Sequence, residues 1–170
     1  MWTWSSATPL VNSVYEAGKY TALTRSSRDY AADPLIGPLL RVPLQAIRAR
    51  MLTAVAAAGF NDIGPAHFAI LQAPTPDGAR PTELAARGQM TKQAANRLIR
   101  HLERHGYLLL EPDPRDQRAR TVRLTERGWQ LIATIRATVE EVEREWAEQL
   151  GARRFAELRD ALKELSALVN

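Results

Sequence analysis

The chain has 170 residues, of which 45% are hydrophobic and 25% charged, with a net charge of +4 and no cysteine. That profile fits a folded soluble protein and excludes a disordered chain, and no apolar run approaches the roughly 18 residues that a membrane span needs. The missing cysteine removes a disulfide framework, a cysteine-based zinc site and thiol redox sensing, while the lack of a basic start and apolar stretch near the N-terminus predicts a cytoplasmic location without membrane attachment.

In chain order, residues 1–33 mix Ser, Thr and Asp with scattered aromatics and hold no sustained period, so a loosely ordered extension is expected there. Residues 34–170 are expected to form the folded domain. Ile36, Leu40, Leu44, Ile47, Met51 and Val55 recur at helical spacing, and Gly59 closes the run. "GPAHFAILQA" predicts a short helix from near Pro65, ended by the turn cluster "PTPDGARP". Thr82 and Thr91 are expected N-caps of two further helices, "TELAARG" and "TKQAANRLIRHLERHG". "YLLLE" and "ARTVRL" are strand-like runs on either side of "EPDPRDQRART", which makes that loop a hairpin tip. After Thr125 a long helix carries Ile132, Ile135, Val139, Val142, Trp146 and Leu150. Gly151 interrupts it, and a last helix sets Phe155, Leu158, Leu162, Leu165 and Val169 three and four apart.

The charge is not evenly spread. Arg80 to Gly128 holds eleven Lys/Arg against six Asp/Glu, whereas Trp129 to Asn170 holds six against eight. A localised positive stretch is the footprint of a surface that meets phosphate. Two short helices, a tight turn and a hairpin make a winged helix-turn-helix, a mainly α arrangement with a minor β component. At roughly 100° per residue, Ala95, Leu98, Ile99 and Leu102 fall in one arc of the second helix and Lys92, Gln93, Asn96, Arg97 and Arg100 in another. The second arc suits base edges and phosphates: Asn and Gln pair bidentately with adenine, Arg and Lys with guanine. With Thr91 at its start, this arc is the expected major-groove reader.

Residues 83–128, "ELAARGQMTKQAANRLIRHLERHGYLLLEPDPRDQRARTVRLTERG", resemble the MarR-type winged-helix transcription regulators. "DPRDQRARTVRLTERG" is similar to the wing signature of that family, D-x-R-D-x-R and then an apolar-x-Leu-Thr and a Gly. Many members set an apolar residue and then Gly before the recognition helix; here Gly88 and Gln89 stand there. The resemblance implies a wing that enters the minor groove with Arg118, steadied by Asp116, and with Arg115 and Arg120 available for phosphates. A carboxylate partner would hold the planar guanidinium in place beforehand, and a narrow minor groove rewards the insertion.

The resemblance also implies a homodimer joined through residues 34–59 and 129–170, around a DNA-binding module of residues 60–128, on a near-palindromic double-stranded operator. The apolar stripes of the terminal helices agree with that, although folding back onto one monomer core is the alternative. A small aromatic or phenolic effector, with release of repression, is implied in the same way. Gln45, Arg48 and His67 are the pocket candidates, each with a hydrogen-bonded structural role as its alternative. His101 and His105 lie four apart, but with no third ligand at a useful spacing they are read as phosphate-facing or solvated, so no metal and no cofactor is expected. No Gly-rich phosphate loop, G-x-S-x-G or H-E-x-x-H motif is present, so no enzyme is expected. The competing reading is a winged-helix interaction or structural module without specific DNA binding.

Overall fold

A computed structural model describes residues 34–71, 78–113 and 116–169, without the side chains of residues 116–118. The extension expected over residues 1–33 lies outside the described residues. The chain divides into two compact units, Met1–Leu40 and Arg41–Asn170. Of the first unit, residues 34–40 are described; they carry the start of the first helix, with Leu35, Ile36, Leu39 and Leu40 exposed.

Helix α1 spans Ile36–Ala57, with Pro43 withdrawing one N–H from its ladder. Gly59, at φ 89°, turns the chain out of the helix while the Phe60 N–H closes back on the Val55 carbonyl at 3.1 Å. A 3-10 turn, Pro65–His67, runs into the short helix α2, Phe68–Leu71, which buries Phe68, Ile70 and Leu71. Helix α3 covers Pro81–Arg87 and helix α4 Lys92–Arg104. Thr91 caps α4 as expected, its Oγ1 accepting from the Ala94 N–H at 3.2 Å. Thr82 is not a cap. Arg80 takes that position ahead of Pro81, and its N–H is met by Glu83 Oε2 at 3.4 Å. Pro81 wins the contest because its fixed φ and missing N–H suit the first helical position.

Strands β1, Leu108–Asp113, and β2, Asp116–Leu124, form an antiparallel wing that runs in register from Leu108↔Leu124 to Pro112↔Arg120 and shifts at Asp113↔Asp116. Ala79 adds a single bridge to Val122, joining the segment before α3 to the wing. Helix α5, Glu126–Leu150, begins at Thr125, whose Oγ1 accepts from the Gly128 N–H at 3.1 Å. Gly151, at φ 85°, separates it from α6, Ala152–Val169. These elements are the expected winged helix-turn-helix with long terminal helices.

The core gathers Val55 from α1, Phe68 from α2, Leu84 from α3, Ile99 and Leu102 from α4, Leu108 from the wing and Leu131 from α5. Each such side chain contributes about 1.5–3 kcal/mol by leaving water. Gly128 sits where α5 meets the end of α4: a Cβ there would run into the Tyr107 carbonyl oxygen. The terminal helices divide along their length. Met51 and Val55 of α1 and Leu131 and Val142 of α5 are buried, whereas Val42 and Leu44 of α1 and Leu158, Leu162, Leu165 and Leu168 of α6 are exposed. Phe155 alone of the α6 stripe is buried.

Candidate nucleic-acid interface

On α4 the division into two arcs is realised in three dimensions. Ala95, Ile99 and Leu102 are buried. Thr91, Lys92, Gln93, Asn96, Arg97 and Arg100 are all exposed. The helix therefore spends its apolar side on the core and leaves these six polar side chains in solvent. The turn that sets its direction is tight. Gly88 N–H bonds to the Leu84 carbonyl at 2.9 Å and Met90 N–H to the Ala85 carbonyl at 3.0 Å. Between them Gln89 adopts φ 49°. The left-handed position falls on Gln89, so the chain accepts a side chain where glycine would be unstrained. Gly88 stands in a tight place instead, since a Cβ on it would press on Met90 Cε and approach the Leu84 carbonyl oxygen at 3.2 Å.

At the wing, the side chains of Arg115, Asp116 and Arg118 lie outside the described residues, so the expected brace between Asp116 and Arg118 has no described counterpart. Arg120 is exposed on β2. The base of the wing has its own carboxylate–arginine pairs. Asp113, 7% exposed, receives Arg80 Nε at 2.9 Å and Arg80 Nη2 at 2.8 Å. Glu111 pairs with Arg123 Nε across the strands at 3.3 Å. Two of the loop's carboxylates thus pair with arginines that were not the expected ones: they stand at the root of the wing, and one of them comes from before α3. Sequence reading missed Arg80, because its partner lies 33 residues away.

The three expected pocket residues separate. Arg48 lines a cavity of about 340 Å³ together with Pro65, Phe68, Ala69, Arg87, Gly88 and Gln89. Gln45 is not among its lining residues and accepts from Arg41 Nη1 at 3.1 Å along α1. His67 is not among them either and stacks on His101, with ring centroids 4.4 Å apart. Arg87 and the Gly88–Gln89 turn, missed in the sequence, give this cavity a wall on the reading module itself.

His101 is neither phosphate-facing nor solvated. Its Nε2–H donates to the Asp62 carbonyl at 2.9 Å, and His105 Nδ1–H donates to the His101 carbonyl at 2.8 Å. Asp62 Oδ1 accepts from the Tyr107 hydroxyl at 2.7 Å, and Arg127 Nη2 bonds the same hydroxyl at 3.2 Å. Burial is the largest single influence on Asp62 and opposes its charge. The Tyr107 hydrogen bond, with His105 and Arg127 nearby, outweighs it and holds the carboxyl below its usual range. Burial pushes the Tyr107 hydroxyl up. It also pushes the His67 imidazole down, as does the neighbouring His101.

A reading helix with a free polar face, a hairpin wing and flanking long helices define a winged helix-turn-helix protein. The MarR family model matches residues 61–119, the stretch that contains α2 to α4 and most of the wing, and over that stretch the chain is similar to the MarR family. Solved structures agree. A transcriptional regulator from Thermotoga maritima is 28% identical, with 78% of this chain and 92% of that chain covered and a TM-score of 0.56. A MarR family protein of Mycobacterium tuberculosis, in complex with salicylic acid, is 27% identical over 79% of this chain and 98% of that chain, with a TM-score of 0.58. A MepR mutant of S. aureus bound to an oligodeoxyribonucleotide shares the fold at 19% identity and a TM-score of 0.50, covering 81% of this chain and 100% of that chain. No curated protein matches the chain.

Proposed function

We propose that this protein is a transcriptional repressor that binds a near-palindromic double-stranded operator as a homodimer and releases it on binding a small aromatic acid. The observation that carries the reading is α4: six polar side chains from Thr91 to Arg100 are exposed while the opposite arc is buried. Asn96, Gln93 and Arg97 read base edges in the major groove, and Lys92 and Arg100 meet phosphates. The wing, with Arg118 at its tip and Asp116 behind it, enters the minor groove, with Arg115 and Arg120 on the backbone. The oligodeoxyribonucleotide bound to the S. aureus MepR mutant supports this reading of the fold.

The exposed leucines at the start of α1 and along α6 support dimerisation, since an uncovered stripe of Leu158, Leu162, Leu165 and Leu168 is costly in water. The cavity beside Arg48 supports the effector. Arg48 and Arg87 both line it, so the lining is cationic, and Phe68 offers an aromatic wall. The salicylic acid held by the M. tuberculosis relative is a ligand of that class. Its wall includes the Gly88–Gln89 turn, so occupancy would bear on the direction of α4.

The test is a titration of the protein against its own promoter fragment at about 50 and 200 mM salt, where several phosphate contacts predict a loss of roughly a thousandfold in affinity. A panel of phenolic acids is then added at the lower salt, and Arg48→Ala should blunt their effect. Affinity that ignores salt would instead mark an interaction module, and a mass of one chain in solution would remove the dimer.

A further inference from the structure

The chain contains three histidines, and all three stand in one row. His67 stacks on His101 with centroids 4.4 Å apart, and His101 meets His105 at 4.2 Å. Asp62, from the loop after α1, closes the end of the row. One nitrogen of His101, one of His105 and a carboxylate oxygen of Asp62 lie within 4.8 Å of one another. From these residues we propose a binding site for one borderline transition-metal dication, Zn²⁺ above all, held by Asp62, His101 and His105.

Three further features support the assignment. Both imidazoles already give one N–H to a backbone carbonyl, His101 Nε2–H to Asp62 and His105 Nδ1–H to His101. A neutral ring anchored in this way keeps a lone pair on its other nitrogen, and such carbonyl partners are what orient histidines at metal centres. Asp62 Oδ2 is buried and has no hydrogen-bond partner. Its other oxygen is fixed by the Tyr107 hydroxyl at 2.7 Å, with Arg127 Nη2 at 4.0 Å on that same side. The free oxygen lies on the His105 side, 3.9 Å from the Nδ1 that donates to the His101 carbonyl, so the ligand lone pair is on His105 Nε2 and the ring must turn to bring it to the ion. A buried acceptor without a donor is costly, and a cation would satisfy it.

The donor set selects the ion. Two imidazoles and one carboxylate suit Zn²⁺, Co²⁺ or Ni²⁺, whereas Ca²⁺ and Mg²⁺ require oxygen ligands throughout. Ligands about 2.1 Å from zinc stand about 3.4 Å from one another in a tetrahedron, so the three side chains must draw together by roughly 1 Å. His105, with 40% of its side chain exposed, is free to make that movement. His67 is not a ligand. Its Nδ1 accepts from the Gly64 N–H at 2.9 Å, so the proton sits on Nε2 and the ring acts as a stacking support for His101. A bound ion would pin the last turn of α4 to the loop that follows α1.

The experiment adds Zn²⁺ or Co²⁺ to the untagged full chain, freed of metal by a chelator. Isothermal titration should give one equivalent per chain, and Co²⁺ should develop the visible absorption of a four-coordinate nitrogen and oxygen site. Long-range proton–nitrogen spectra resolve all three histidines; His101 and His105 should shift on adding Zn²⁺, and His67 should keep its protonated Nε2. His105→Gln, an exposed change, should lower affinity at least tenfold with an unchanged melting temperature in the absence of metal. His67→Gln should retain binding, and Asp62→Asn should lose it. The proposal is overturned if no Zn²⁺ binds at micromolar concentration, or if His105→Gln binds as tightly as the parent.

Discussion

At its N-terminal end α4 presents Lys92, Gln93, Asn96 and Arg97 to solvent, where the Thr91 side chain caps the backbone. At its C-terminal end His101, His105 and Tyr107 are tied to Asp62, and Arg127 lies over the Tyr107 ring with 4.8 Å to its centroid. The helix between them has thirteen residues, about 20 Å along the axis. The contrast separates two duties on one helix. Exposed side chains contribute little to folding and, under the proposed function, are the ones that meet DNA, whereas side chains that fix the helix are unavailable for that. A helix anchored at one end keeps its free end stiff, which lowers the ordering cost of binding.

The largest expected effect tests the anchored end. Gly128→Ala drives a methyl group into the Tyr107 backbone, where neither α5 nor the wing root has room to retreat. A loss of about 3 kcal/mol or more is expected, read as a drop in denaturant midpoint. A near-neutral outcome would mean that the joint between α4 and α5 yields under load. Next, Arg97→Ala at the free end should weaken operator binding by about 1–3 kcal/mol while stability changes by under about 0.5 kcal/mol. If the variant melted early instead, the division of duties along α4 would be wrong.

Tyr107→Phe removes one hydroxyl shared by Asp62 and Arg127 and leaves Asp62 Oδ1 without its donor. About 1–2 kcal/mol of stability should go, with operator affinity at saturating protein unchanged. The smallest effect sits at the turn into the free end. Gln89→Gly removes a side chain from a backbone at φ 49° and should stabilise the protein by about 0.5–1 kcal/mol. Destabilisation there would show that the Gln89 side chain does more for the cavity wall than its backbone strain costs.

Much of this was legible in the chain. The apolar spacing of α1, α5 and α6, the Gly59 and Gly151 breaks and the Thr91 cap were readable because each is a property of neighbours within a turn or two. Arg80 as a cap in place of Thr82 was missed because Pro81 shifts the helix start by two positions. Of the candidate effector residues only Arg48 reaches the cavity; helical position gave no sign that Gln45 would turn to Arg41 or His67 to His101. That Asp62 would meet the histidine pair was not visible because it is 39 residues upstream of His101.

By itself, then, the sequence determined the elements and the polar arc of α4, since the side-chain period of a helix is local and the apolar arc must face inward wherever the core lies. Tertiary structure alone decided which distant residues meet, Asp62 with His101 and His105 and Arg80 with Asp113, and that Arg48 and Arg87 line one cavity. Those meetings depend on how helices cross and where loops return, and such angles come from the packing of whole side-chain layers, which no short window of sequence contains.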